Sequence, residues 1–160
     1  MRVLRLVRKT KHSFLVVVLT FLPSVVLITL YVVGFRFVVV LTDSMEPSIP
    51  KYSFVVTAPS VPSVGDVALF RVRFPSNSTF LVLHRVVGAT GGCMLTKGDN
   101  RVFRDPWCVG VDDVVGVAVI HIPLLGLVVV FAKVLIPLGL LAYLLFKVFT
   151  NILGGRYGGR

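Results

Sequence analysis

The sequence predicts a mostly β domain with an apolar helix on either side, and three observations lead to this fold class. The chain has 160 residues, room for one domain, and 56% of them are hydrophobic while 15% are charged, an apolar excess for a soluble protein. That excess lies mainly towards the two ends. Between them, residues 35–121 form short strand-like runs separated by turn sequences, without helical periodicity. We therefore expect one small β domain between an N-terminal and a C-terminal transmembrane helix.

Residues 1–12 are basic and polar, and residues 13–34 are almost wholly apolar. Ser13 to Val33 carry no charge, and a helix of this length spans about 31 Å, one hydrocarbon core. A cleavable signal peptide is the alternative, but its apolar core is shorter and is followed by small residues. This run is longer and ends in bulky residues. We expect a retained anchor whose basic flank faces the cytoplasm.

The middle of the chain is rich in β-branched and aromatic residues interrupted by glycine and proline, which is typical of short strands and turns. Alternation in the fourth strand places His84 on one face with Val82 and Val86. The preceding loop contains the sequence Asn77-Ser78-Thr79, a glycosylation acceptor if the domain faces outwards, or else a chance match. The predicted strands cover residues 37–41, 53–57, 67–73, 80–87, 93–97 and 109–119.

A second apolar stretch begins after residue 121 and is interrupted by Lys133. A lysine at mid-bilayer costs about 2.5–3.5 kcal/mol on insertion scales, so we place Lys133 near the outer interface. Residues 122–133 then form an apolar segment at the membrane surface. Residues 134–149 form a second transmembrane helix, short at about 24 Å. Residues 150–160 form a flexible tail, and two spans place both basic ends in the cytoplasm.

The charge balance excludes one class of partner. The formal net charge is +10, from 17 Lys and Arg against 7 Asp and Glu, a balance common in nucleic-acid-binding proteins. No nucleic-acid-binding motif accompanies it. Many of the basic residues flank the apolar segments, as they do on the cytoplasmic side of membrane helices. The expected partner is therefore a lipid bilayer and not a nucleic acid. These flanking residues are Arg2, Arg5, Arg8, Lys9 and Lys11, then Lys147, Arg156 and Arg160.

Cys93 and Cys108 are the two cysteines of the chain, and both fall in the β domain. In an oxidising compartment they can form a disulfide, which for a loop of about 15 residues is worth roughly 3 kcal/mol. Two free thiols are the alternative. Two cysteines this far apart without a histidine cluster make a poor zinc site. No metal or cofactor is expected.

Ser44 lies just after the first apolar segment, where a chain leaving a membrane enters water. A serine hydroxyl is a weak nucleophile and needs a general base within hydrogen-bond reach. His84 is the best candidate, because an imidazole is mostly neutral at pH 7, as a base must be. His12 and His121 lie beside the apolar segments and suit the role less well. For His84 alone, a structural hydrogen bond in a strand is the alternative.

Either Asp99 or Asp105 can accept the second imidazole N–H and hold the tautomer, although both also suit ordinary turns. The Thr42 hydroxyl, with the Ser44 backbone N–H, can bind the oxyanion of an acyl-transfer reaction. Met45 is assigned to substrate binding beside it, with plain apolar packing as the alternative.

Four blocks in order carry a family resemblance: Ser44-Met45-Glu46-Pro47, Val64-Gly65-Asp66-Val67, His84-Arg85-Val86-Val87, and Thr96-Lys97-Gly98-Asp99-Asn100 followed by Asp105. The region they define, about residues 35–126, resembles the type I signal peptidases. It is most similar to the archaeal and endoplasmic-reticulum branch, which uses serine and histidine. One position departs from the family pattern, since Asp43 stands where a small residue is usual.

The resemblance implies a small extracytoplasmic β catalytic domain of signal-peptidase type. It implies Ser44 as nucleophile, His84 as base, Asp105 as the acid of the triad and Asp99 as a supporting acid. The implied function is that of a membrane-bound serine endopeptidase that removes signal peptides from exported preproteins, near the translocon and without a cofactor. The expected location is the plasma membrane of an archaeon, with the endoplasmic-reticulum membrane as the alternative.

Three other functions are weighed against this one. A Ser/His peptidase for a narrower class of precursors fits the same residues. A non-catalytic membrane subunit that retains the fold predicts the loss of a catalytic residue, yet all four are present. The self-cleaving repressor proteases have a related fold, but they are soluble and use lysine as the base.

Overall fold

The structure, a computed structural model, describes residues 2–73 and 78–157, with side chains described between residues 18 and 151 outside the same gap. Asn77, the glycosylation acceptor named above, lies outside the described residues. Two long helices flank seven strands. The elements are α1 (Arg2–Val33), β1 (Arg36–Val39), β2 (Phe54–Ala58), β3 (Val67–Arg73), β4 (Thr79–Thr90), β5 (Cys93–Lys97), β6 (Cys108–Gly110), a 3₁₀ turn (Val111–Asp113), β7 (Val114–Ile122) and α2 (Leu125–Tyr157).

The strands form one sheet in the order β1-β2-β7-β3-β4-β5-β6, and every neighbouring pair is antiparallel. The predicted mostly β class is confirmed. One predicted strand, residues 109–119, is wrong as a single element. Its first part pairs with β5 at one edge of the sheet, while its second part pairs with β2 and β3. Because these places are far apart in the sheet, the chain turns at Asp112 and Asp113, which are poor strand residues.

The hairpin between β4 and β5 is tighter than the sequence suggests. The predicted strand ends at residue 87, but β4 continues to Thr90. Gly91 and Gly92 alone make the turn, with φ of 56° and 82°. Two central residues with positive φ are what a two-residue hairpin requires, and glycine adopts that conformation without strain.

Apolar side chains cover both faces of the sheet. Neighbours on β3 point to opposite sides, so Leu69 joins one buried cluster while Ala68 and Phe70 join the other. The loop between β1 and β2 closes the first cluster by inserting Met45 and Ile49. This packing anchors the segment that carries Ser44. The first cluster contains Val40, Met45, Ile49, Val55, Leu69 and Leu83, and the second contains Ala68, Phe70, Val72, Val86, Met94 and Val109.

Among the described residues, one helix is long and apolar enough to cross a membrane. Within α2, Leu125–Asn151 spans 27 residues and contains an 18-residue stretch with a mean hydropathy of 2.5. Residues 122–133 and 134–149 were expected as separate segments, yet from residue 125 they belong to one continuous helix. The described side chains of α1 include a shorter apolar segment, Val18–Val33.

Both helices join the sheet beside β1 and β2. At the end of α1, Gly34 has a φ of 109° and Phe35 N donates to Leu30 O at 3.0 Å, which closes the last turn. At the start of α2, Gly126 N donates to Tyr52 O at 3.0 Å. A Cβ at Gly126 would lie 2.6 Å from Val39 Cγ1. The helices are therefore fastened next to the segment that leads into Ser44.

Candidate active site

Ser44 lies in a series of turns that follows β1. Glu46 N donates to Asp43 O at 3.1 Å, and Ile49 N donates to Met45 O at 2.9 Å. Met45 is fully buried in the first apolar cluster. The structure therefore replaces the interpretation of Met45 as a substrate-binding residue with its alternative, apolar packing. Its burial fixes the backbone next to Ser44, whose side chain lines an open cleft.

His84 connects Ser44 to an acid. His84 Nε2 lies 3.1 Å from Ser44 Oγ, and His84 Nδ1 lies 2.6 Å from Asp105 Oδ2. The three residues come from the turn after β1, from β4, and from the loop between β5 and β6. With the proton on Nδ1 donated to the carboxylate, Nε2 accepts the Ser44 hydroxyl proton. The geometry is that of a nucleophile, a base and an orienting acid.

Asp105 is itself held in place by β5. Thr96 Oγ1 donates to Asp105 Oδ2 at 2.6 Å, and the Asp105 N–H donates to Thr96 O at 2.8 Å. The carboxylate is 9% exposed. Thr96 was not identified as a site residue from the sequence, where it looks like an ordinary strand residue. Its buried hydroxyl fixes the oxygen that accepts from His84.

Asp99 makes a different contact, and the structure separates the two candidate acids. Arg85 Nε and Nη2 donate to the Asp99 carboxylate at 2.8 and 2.6 Å. These hydrogen bonds hold the pKa of Asp99 below its ordinary value, against the opposing effect of burial. Arg85 also donates to Gly65 O at 2.7 Å and lies 3.4 Å from Ser48 Oγ. Asp99 thus forms part of a brace among three loops, and Asp105 is the acid that touches His84.

Thr42 lies beside Ser44. Its Oγ1 is 3.2 Å from Ser44 Oγ, and both residues line the cleft. Among the described residues, no backbone carbonyl accepts the Ser44 N–H. Hence the hydroxyl and the amide proposed from the sequence are both near the nucleophile.

Gly98 allows the loop after β5 to approach the nucleophile closely. A Cβ at this position would lie 2.6 Å from Ser44 O and 3.1 Å from His84 Nε2. Asn100 N then donates to Ser44 O at 2.9 Å. From the sequence, Gly98 was assigned only to a turn. Its approach to Ser44 and His84 is visible only in the three-dimensional structure.

The cleft beside Ser44 has a volume of about 900 Å³. One wall is formed by residues 39–42 and another by residues 80–83 of β4, with the loop at residues 100–103 along the rim. Most of its lining side chains are apolar. Val102 and Phe103 are 83% and 82% exposed at this rim. The cleft is therefore open and mostly apolar.

A disulfide closes the base of the loop that carries Asp105. It joins Cys93 of β5 to Cys108 of β6, with Cα atoms 5.6 Å apart. The sequence left this bond open, and the structure forms it. In the described part of the chain, no group of three or more His, Cys, Asp or Glu could hold a metal ion.

No protein-family model and no curated protein matches this sequence. The chemistry of the site therefore rests on its geometry. A serine hydroxyl, an imidazole and a buried carboxylate in hydrogen-bonded series, next to an open cleft, are suited to acyl transfer from an ester or an amide.

Proposed function

We propose that this protein is a membrane-bound serine endopeptidase that removes N-terminal signal peptides from exported preproteins. The observation that carries the proposal is the hydrogen-bonded series Ser44–His84–Asp105 at an open, mostly apolar cleft. The resemblance of four sequence blocks to type I signal peptidases supports the choice of substrate class. An apolar helix long enough to cross a membrane supports a location at the bilayer.

In the proposed mechanism, Ser44 Oγ attacks the carbonyl carbon of the scissile bond while His84 Nε2 takes its proton. The Thr42 hydroxyl and the Ser44 N–H stabilise the negative oxygen that forms, each donor being worth about 3 kcal/mol. His84 then gives the proton to the leaving amine, which departs as the new amino terminus. Water, deprotonated by His84, releases the signal peptide from Ser44. Throughout, Asp105 accepts the Nδ1 proton and stabilises the imidazolium.

The position of the cleft suits a substrate that emerges from a bilayer. Val39, which lines the cleft, packs against the start of α2 at Gly126, and Ser44 follows β1 directly. The backbone groups of Val40 are already paired with β2 and its flank, so Leu41 and Thr42, which line the cleft, are the residues proposed to pair with a substrate strand. We propose that the β domain is extracytoplasmic, at the plasma membrane of an archaeon or, alternatively, at the endoplasmic-reticulum membrane.

The test is cleavage of a preprotein by the detergent-solubilised full-length protein, with the new amino terminus sequenced. The wild type is expected to cut once, after a small residue. Ser44→Ala is expected to abolish the cut, whereas Ser60→Ala, at an exposed serine outside the cleft, retains it. Cleavage that survives in Ser44→Ala, or no cleavage of several preproteins by folded wild type, would refute the proposal.

A further inference from the structure

Asp43, the residue that departs from the family pattern, forms an ion pair beside the nucleophile. Arg101 Nη2 donates to Asp43 Oδ1 at 3.1 Å. The two side chains are 52% and 57% exposed, so another charged group can approach them. Asn100 Nδ2 donates to the Asp43 carbonyl at 3.2 Å, and this contact fixes the turn independently of the ion pair.

Arg101 also belongs to the cleft. It lines the same surface as Ser44 and His84. The point where a Cβ of Gly98 would lie is 3.0 Å from Arg101 Cγ and 3.1 Å from His84 Nε2. Arg101 Cγ and His84 Nε2 therefore lie on either side of the same point beside Gly98, and the Arg101 side chain lines the cleft together with the imidazole.

Arg101 provides the available charge of the cleft. Among the described residues that line it, the ionisable side chains are His84, Arg101 and Asp105. Asp105 is occupied by His84 and Thr96, and His84 is the neutral base of the reaction. A guanidinium has five N–H donors, and Asp43 accepts from one of its nitrogens. Donors therefore remain for a second carboxylate.

We propose that Arg101 is a specificity-determining residue that favours substrates with an acidic side chain next to the scissile bond. Asp43 weakens this preference, because it competes with the substrate carboxylate for the same guanidinium. A lysine or arginine at that substrate position is disfavoured by repulsion. The inference rests on the proposed function, since it names the substrates that the same site selects.

The expected size of the preference follows from the exposure of the pair. Solvent-exposed ion pairs change equilibria by a small factor, and partial burial under a bound peptide increases it. We expect a ratio of about two- to tenfold in kcat/KM between substrates that carry Glu and Gln at this position. The ratio should fall at high ionic strength, because salt screens exposed charges.

The experiment uses the full-length protein in detergent and substrates that differ only in Glu, Gln or Lys at the residue that follows the cut, because the residue before the cut is small. Wild type is expected to rank them Glu, Gln, Lys in kcat/KM. Arg101→Gln should remove the ranking, Arg101→Glu should reverse it, and Asp43→Asn should widen it. Arg104→Gln is the matched control, because this exposed arginine of the same loop lies outside the cleft lining and should leave the ranking unchanged.

Binding of the same substrates to Ser44→Ala, measured by fluorescence anisotropy, gives the ranking without cleavage. A ranking that survives in Arg101→Glu overturns the inference. An equal loss of kcat/KM for all three substrates in the Arg101 variants also overturns it, since this means that the Arg101–Asp43 ion pair only stabilises the turn. Because binding and cleavage are measured separately, their failures can be told apart. If Ser44→Ala binds the peptides in the expected order but the wild type cuts none of them, the proposed function is refuted and the charge preference is supported.

Discussion

At His84, two hydrogen bonds leave one imidazole ring in opposite directions, towards Ser44 and Asp105. The strand position of His84 explains this precision. Its backbone is paired with Ala68 on β3, in the middle of the sheet, so the ring has little freedom. Orientation at the level of single atoms is what a general base requires, because proton transfer depends on short distances.

Substituting Asp105 tests that orientation. Asp105→Asn keeps the shape of the side chain but replaces a carboxylate oxygen with an amide, which disfavours the reactive tautomer of His84. We expect kcat to fall by about 10³- to 10⁴-fold, as for acids in comparable triads. Thr96→Val, which removes one donor to Asp105, should lower kcat by less. Full activity in Asp105→Asn would show that the carboxylate does not orient the base.

Gly98 provides a second test at the scale of one atom. A Cβ at Gly98 would lie 2.6 Å from Ser44 O, and this neighbour is backbone, so the turn at Ser44 must shift. We expect Gly98→Ala to lower kcat/KM by about 10²-fold, the usual effect of a 1 Å misplacement. Gly110→Ala is the matched control, because nothing lies within 4 Å of its Cβ position. Equal activity in both variants would contradict the close approach described here.

At the scale of elements, three loops meet at the Arg85–Asp99 ion pair. Arg85 on β4 reaches Ser48 after the nucleophile, Gly65 before β3, and Asp99 after β5. The fork of the guanidinium allows these contacts to form together. Successive residues of a strand point to opposite faces of the sheet. His84 therefore contacts Ser44 on one face, while Arg85 contacts Asp99 on the other.

The brace predicts a dependence of stability on pH. Hydrogen bonds from Arg85 lower the pKa of Asp99 in the folded protein, so Asp99 contributes stability when ionised. That contribution is present at neutral pH, above the ordinary pKa of a carboxyl group. It is lost in acid as pH falls from that ordinary value through the lowered one. We expect Asp99→Asn to reduce Tm at pH 7 and the difference from wild type to shrink on acidification. A constant difference across that range would contradict the proposed ionic contribution.

Much of the sheet could be predicted from the sequence, because β-branched and aromatic residues between glycine and proline mark β2 and β3 directly. The break at Val111–Asp113 could not, since it depends on which strands are neighbours. The continuous helix through Lys133 could not be predicted either. The free-energy cost of placing one lysine in a bilayer does not determine where a helix begins.

The order and types of the residues predicted the series Ser44–His84–Asp105. From the residues alone the choice between Asp99 and Asp105 stayed open, the resemblance implied Asp105, and the path of the loop brings the Asp105 carboxylate to His84. Met45 was assigned to substrate binding because it is next to Ser44 in the chain, yet its side chain is buried in the core. Position in the sequence does not show which way a side chain points. The roles of Thr96 and Gly98 depend on contacts between residues that lie far apart in the chain.

At the scale of the whole molecule, one sheet lies between two long helices in the chain and forms walls of the cleft. Large apolar side chains along α2 are exposed, including Leu135, Leu138 and Leu141, so the described sheet does not cover this helix. Exposed apolar residues on this scale are typical of a helix that crosses a membrane. The bilayer is the solvent that the proposed function provides.

Membrane integration is therefore expected to survive alkaline extraction. Because Leu125–Asn151 spans 27 residues and contains an 18-residue stretch with a mean hydropathy of 2.5, the full-length protein should remain in the membrane pellet after carbonate treatment. A variant with three central leucines of α2, Leu138, Leu140 and Leu141, replaced by aspartate should weaken this association. Release of the wild type into the supernatant would refute integration.

The bond between Cys93 and Cys108 encloses Asp99, Asn100, Arg101 and Asp105 in a covalent ring. A chain cut once inside that ring remains a single covalent molecule. The exposed peptide at Val102 and Phe103 is the natural place for such a cut. A clipped protein would therefore migrate as an intact chain on a denaturing gel without reductant and as two fragments with it. Any assay of purity or self-cleavage on this protein has to compare the two lanes.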